Sequence, residues 1–256
     1  MKSKKIFIIL LSFIILPCAL SGQNLTDAQG MKTGAWKVNY PDGTLRYEAV
    51  FEKGVPVGTM KRYDEKGMLV AKMNFLPNST RCYAKLYRGN KQLKAEGLYI
   101  SQRKDSVWVY YGKNDFINLK ENYVNGIQKG ITESYYASGK ISQVFNFENG
   151  VKNGKWTQYF EDGNLMQTCT YKNDKLHGSY EAHFPEGRVE VKGNYVNNFK
   201  DGDWMYFSEE GEVKDILQYS NGDILNPETL QENYDEFIKH VEDNIGNIPD
   251  PDDGDF

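Results

Sequence analysis

The run Gly154-Lys155-Trp156-Thr157-Gln158-Tyr159-Phe160-Glu161-Asp162-Gly163-Asn164-Leu165-Met166-Gln167-Thr168-Cys169-Thr170-Tyr171-Lys172-Asn173-Asp174 decides the fold. Counted from Gly154 as position 1, positions 2 to about 7 read as a first strand, and in second strands such as Leu45 to Phe51 one parity is apolar and the other mostly polar. Asp162-Gly163 then supplies a tight reversal, because glycine enters the positive-φ region without steric cost. A second strand follows at positions 12–18, ending in Tyr171. Asn173-Asp174 reverses the chain again, with Asn-Gly in the same place in other units. Two reversals in 24 residues make one antiparallel hairpin unit.

Stepping outward by 24 lands on Gly34, Gly58, Cys82, Ser106, Gly130, Gly154, Gly178 and Gly202, with no insertion through Leu225. Position 12 is aliphatic in every unit (Leu45, Leu69, Leu93, Ile117, Ile141, Leu165, Val189, Val213). Position 18 is Phe or Tyr in every unit, from Phe51 to Tyr219. A fixed period of this size signals a repeat architecture, in which each unit shields its apolar face against its neighbours. The fold class is therefore all-β: an antiparallel β-meander of eight hairpin repeats over residues 34–225.

Glycine at positions 1 and 10, the ring at position 3, aromatics at 6 and 7 and Asn-Gly near position 20 resemble MORN repeats of the bacterial variant type. Gly154, Trp156, Tyr159, Phe160, Gly163, Leu165 and Tyr171 carry the resemblance, as do Gly202, Trp204, Phe207, Gly211, Val213, Tyr219 and Gly222. The resemblance implies an elongated, twisted sheet. It also implies docking of proteins or membranes, or an antitoxin-like or immunity role. Units three and four depart from the pattern at Cys82, Ala84, Lys91, Ser106 and Asp115, so irregularity is expected there.

The ends differ from the middle. Lys2, Lys4 and Lys5 precede an apolar run from Ile6 to Leu16 and a small-residue stretch at Ala19-Leu20-Ser21-Gly22. Residues 1–22 thus read as a secretory signal peptide, whose apolar run is too short to span a bilayer. A lipid anchor on Cys18 is the rival reading. The expected location is periplasmic, outer-envelope or secreted. Residues 23–33 read as a partial N-terminal repeat or cap, with Gly30 at position 21. After the repeats, Leu230, Tyr234, Phe237, Ile238, Val241 and Ile245 recur at spacings of three and four. They predict a capping helix within 226–246, followed by an acidic disordered tail at 247–256.

Composition narrows the partners. The chain carries 31 basic and 35 acidic residues. Most of the imbalance sits beyond residue 225, so the repeats come out close to neutral with no basic stripe for nucleic acid. Two cysteines follow the leader, Cys82 and Cys169. Their separation of about seven strands, on the order of 30 Å, predicts two free thiols.

Aromatic columns are the candidate binding residues: Trp36, Trp108, Trp156 and Trp204 at position 3, and Tyr111, Tyr135 and Tyr159 at position 6. They read either as a ladder packed between units or as a trough for a peptide, glycan or lipid head group. If they line a trough, alanine at Trp156 and Trp204 together removes partner capture and leaves the circular dichroism unchanged. The histidines, His177, His183 and His240, do not reach the convergent set a metal needs. No nucleophile elbow, phosphate-cradling loop or dinucleotide fingerprint is present, so no catalytic residue and no cofactor is expected. The sequence points to a non-enzymatic, exported scaffold for a protein or peptide; envelope lipid or glycan binding is the alternative. It leaves the oligomeric state open.

Overall fold

The computed structural model describes residues 23–77, 79–89 and 91–227. The expected signal peptide, the greater part of the predicted capping helix and the acidic tail lie outside these residues. Among the described residues every regular element is a strand. All pairing is antiparallel between chain neighbours, so the sheet is an open meander.

The unit anatomy matches the sequence period and adds one part to it. In the sixth unit the strands are Gly154–Tyr159 and Leu165–Lys172, followed by a two-residue strand at Lys175–Leu176. The loop between the long strands is a three-residue reversal. Phe160 and Asn164 bond across it, and Gly163 takes positive φ at its end. The second reversal has two residues, both at positive φ, as in Asn173-Asp174 and Asn221-Gly222. That geometry matches the right-handed twist of the flanking strands, and Asn and Gly tolerate it best. Lys91, Ser106 and Asp115, which replace glycine in units three and four, adopt the same positive φ. The repeat geometry overrides their side-chain preference there.

A two-residue bulge separates the short strand from the next long one. Tyr171 faces Leu176, yet Thr168 faces Glu181, so the register slips by two between these pairs. The same slip occurs between Glu48 and Val50 and between Glu96 and Leu98. One junction lacks it. Residues Ala71 to Phe75 pair with Leu86 to Cys82 in unbroken register. Pro77 explains the exception: it stands where other units begin the two-residue turn at positive φ, and its ring fixes φ near −65°. The turn opens, and the two surplus residues move from the bulge into the loop. The irregularity expected in unit three is thus a straighter pairing.

The N-terminal segment forms a hairpin in which Leu25–Thr26 pairs with Lys32–Thr33. Its reversal at Asp27–Gly30 is of the longer kind, bonded from Gly30 to Asp27 and from Asp27 to Met31. Cys82 and Cys169 are both free and buried. Burial raises both thiols, Cys169 to about 11. A thiol titration at pH 8 of the chain from Gln23 onward is expected to find almost no reaction in the native state and two equivalents in denaturant.

Candidate functional site

The sheet has two unlike faces. The inward face carries positions 3, 14, 16 and 18. Here Trp108, Trp156 and Trp204 are exposed by only 0%, 4% and 1%. These three rings therefore offer nothing to a ligand, and the reading of their column as a trough is corrected to a packed core. Trp36, in the first unit, is half-buried.

Each indole is held in a similar way. The indole N–H of Trp36 donates to the Leu25 carbonyl at 3.0 Å, that of Trp108 to Leu98 at 3.0 Å and that of Trp204 to Asn194 at 3.1 Å. Trp156 instead donates to the Gln143 side chain at 3.2 Å. The residue at position 16 of the preceding unit lies beneath the ring. Gly97 and Gly193 let Trp108 and Trp204 press onto bare backbone, whereas Phe145 stacks on Trp156 at 6.0 Å.

A lysine four residues before each tryptophan closes the stack from above. Lys32 lies 4.5 Å from the Trp36 ring centroid, Lys104 5.2 Å from Trp108 and Lys200 4.8 Å from Trp204. Lys152 lies over Phe145 and Tyr171, which sandwich Trp156. Units without tryptophan carry Pro56, Thr80, Gln128 or Leu176 at that position. The ammonium caps the ring face while its methylene stem covers apolar surface. Desolvation lowers the Lys104 pKa.

One polar network divides the core, apart from the buried Gln143, Gln158 and Gln167 within its larger part. Glu121 occupies position 16 and Thr132 position 3. Tyr123 donates to Glu121 at 2.7 Å, Gln128 donates to Thr132 at 2.9 Å, and Lys104 donates to Tyr110 at 2.5 Å. This network is internally satisfied and separates two hydrophobic clusters, one around Trp108 and the other spanning Phe145 to Tyr219.

Position 6 belongs to the outward face. Tyr111 donates to Glu96 at 2.6 Å and Tyr135 to Glu133 at 2.5 Å. Burial and then the Glu96 hydrogen bond hold the Tyr111 phenol up at about 12. Tyr159 is half-buried, and its carbonyl accepts from Tyr136 at 2.6 Å. All three are half-buried, with the hydroxyls of Tyr111 and Tyr135 held by carboxylates. His183 lies 3.6 Å from Glu181. The described residues contain no group of three metal-ligating side chains.

Positions 4 and 15 form a continuous cross-strand ladder along the outward face. Lys37 faces Glu48, Glu48 faces Lys61, Lys61 faces Lys72, Lys72 faces Lys85 and Lys85 faces Glu96. The ladder continues through Val109, Lys120, Glu133 and Val144 to Met205 and Ile216 at the far end. Its first half holds five lysines against two glutamates. Glu48 takes Lys61 at 2.9 Å and Glu96 takes Lys85 at 3.2 Å. Lys72, between them, makes no ion pair among the described residues. The expectation that no basic stripe exists rested on net charge, and the register corrects it, since cations 11 and 13 residues apart become neighbours. Hydrogen bonding from Lys61 holds the Glu48 carboxyl below its usual range. The stability it adds is complete above its ordinary pKa and is lost as pH falls through the lowered one.

From the strand of Lys85 onward an apolar row runs at position 2. Tyr83, Val107 and Ile131 are exposed by 56%, 46% and 46%. Each shares its strand face with the ladder residue two positions on: Lys85, Val109 and Glu133.

The MORN repeat variant family model matches residues 32–53, 56–76, 128–149 and 152–173. Four units of the chain are therefore matched directly as MORN repeat variants. Each match opens four residues before position 3, at Lys32 and Lys152 in the tryptophan units and at Pro56 and Gln128 in the others. No curated protein matches the chain. Among solved structures, the crystal structure of a GtfA/B complex bound to UDP and GlcNAc is similar at 8% identity and a TM-score of 0.18. That similarity covers 67% of this chain and 28% of the other, so this chain spans little more than a quarter of it. At that score the likeness has no bearing on site or partner.

Proposed function

We propose that the protein is a non-enzymatic scaffold, exported to the cell envelope, that captures a protein or peptide on the outward face of units two to five. The observation that carries this reading is the apolar row of Tyr83, Val107 and Ile131, which lies in solvent on the same face and continues from the strand of Tyr83 and Lys85 where the run of Lys61, Lys72 and Lys85 ends. Large exposed apolar side chains rimmed by charge are the composition of a recognition patch rather than of an idle surface. Export is supported by the basic start and short apolar run of residues 1–22.

A chain carrying Lys72→Glu and Tyr83→Ser tests the reading. Neither residue supports the inward core, so the circular dichroism and melting temperature are expected to stay within a few degrees of the parent. Capture of proteins from solubilised envelope is expected to fall at least about tenfold, the equivalent of roughly 1.4 kcal/mol. Undiminished capture by the folded variant contradicts the proposal.

A further inference from the structure

We infer that Asn24 and Asn226 plug the two ends of the sheet and keep one copy of this chain from pairing end to end with the next. The inference is independent of the scaffold reading, because it concerns strand edges and not a face.

An open meander has two edge strands, and the unpaired N–H and C=O groups of an edge are a template for another chain. Among the described residues the edges are Lys32–Asn39 at the start and Val213–Ser220 at the end. A two-residue strand covers only part of each, Leu25–Thr26 on one and Asp223–Ile224 on the other.

The rest of the two edges are halves of one junction. Between units, position 15 faces position 4 of the next, as Thr168 faces Glu181 and Lys192 faces Met205. Lys37 is a position 4 with no described unit before it, and Ile216 a position 15 with no described unit after it. The end of one copy thus fits the start of another in the register used within the chain. That register sets Ile216 opposite Lys37 and Asp215 opposite Val38, with no like charges opposed.

An asparagine amide occupies each half. The Lys37 N–H donates to Asn24 Oδ1 at 2.8 Å, and Asn24 Nδ2 donates to the Lys37 carbonyl at 2.9 Å. At the far end the Gln218 N–H donates to Asn226 Oδ1 at 2.7 Å, and Asn226 Nδ2 donates to the Ile216 carbonyl at 3.0 Å. A carboxamide offers a donor and an acceptor as a peptide group does, so each side chain takes the place of a neighbouring strand. Unlike a strand, it presents no new edge. Asn226 stands 24 residues after Gly202, where a ninth unit would open, and Pro227 behind it has no N–H to extend a ladder.

Sedimentation velocity on the chain from Gln23 onward tests this with Asn24→Gly and Asn226→Ala. Glycine suits position 24 because Asn24 has a φ of 62°. Either variant alone frees one edge and is expected to stay monomeric, since the complementary edge remains plugged. Mixing the two is expected to give dimers that grow no further. The doubly substituted chain is expected to grow beyond a dimer as concentration rises, because a head-to-tail contact does not close. All these chains keep residues 228–256, so only the amides differ. Hydrogen exchange supplies a readout that needs no assembly. Protection of the Lys37 and Gln218 N–H groups is expected to fall at least about tenfold in the respective variants, as one hydrogen bond is lost. If the double variant misfolds, the mixture of the folded single variants decides. A folded mixture or double variant that stays monomeric overturns the inference, as does unchanged exchange at both groups. So does a parent that associates as strongly as the double variant, or a single variant that associates alone as strongly as the mixture.

Discussion

Trp204→Ala is expected to destabilise the protein by about 3–5 kcal/mol, the usual cost of removing a fully buried large ring. Trp204 lies 5.3 Å from the Tyr180 ring, 5.0 Å from Tyr195 and 6.1 Å from Tyr219, with Lys200 above it. Alanine abandons those contacts, strands the Asn194 carbonyl that accepted the indole N–H, and leaves Lys200 without its ring. Urea unfolding monitored by far-ultraviolet circular dichroism measures the loss. Trp156→Ala with Trp204→Ala is then expected to lose native structure at room temperature, the reverse of what a trough of exposed tryptophans requires. A double variant with a native spectrum and unchanged unfolding midpoint contradicts the assignment of the inward face.

Gly193→Ala is the second large expected effect, about 1–3 kcal/mol of destabilisation from overpacking. A methyl group at Gly193 falls 2.2 Å from the nearest carbon of the Trp204 ring, with two more ring carbons within 2.8 Å. Gly193 sits in a strand with ordinary φ, so the requirement comes from the ring above it and not from the backbone. Substitution at the paired site tests that explanation. With Leu at 204 the added methyl group meets a smaller neighbour, so the combined variant is expected to lose less than the two single losses summed. Strict additivity sinks the close-packing account. Gly97→Ala beneath Trp108 is governed by the same contact, at 2.4 Å.

The repeat was legible because two columns without exception fix a period, and because Asn-Gly and Asp-Gly mark reversals. The all-β meander follows from them. The face carried by each column was harder to read. Position 3 and position 6 both hold aromatic rings, and periodicity alone does not say which is inward. Two signals in the sequence settle it in hindsight. A lysine stands four residues before each of Trp36, Trp108, Trp156 and Trp204, and in the other units that place holds a different residue. Glycine at positions 97 and 193, eleven residues before Trp108 and Trp204, marks a ring resting on backbone. Pro77 likewise announces that the second reversal of unit two differs from the rest, since proline cannot enter the positive-φ turn.

The outward stripe was not legible in the same way. Its lysines become neighbours only through a register that includes the two-residue bulge at most junctions and its absence at one. A single residue of slip moves side chains to the opposite face. Net charge averages over both faces and both ends, so it conceals a basic half-ladder beside one with two glutamates and a single lysine.

Lysine acetylation footprinting of the protein bound to its partner tests the central claim most directly. The account predicts that Lys61, Lys72 and Lys85 lose reactivity on binding, while Lys155 and Lys192, on the same face in later units, remain as reactive as in the free protein. Protection at Lys155 and Lys192 with Lys72 still fully labelled places the partner elsewhere and contradicts it.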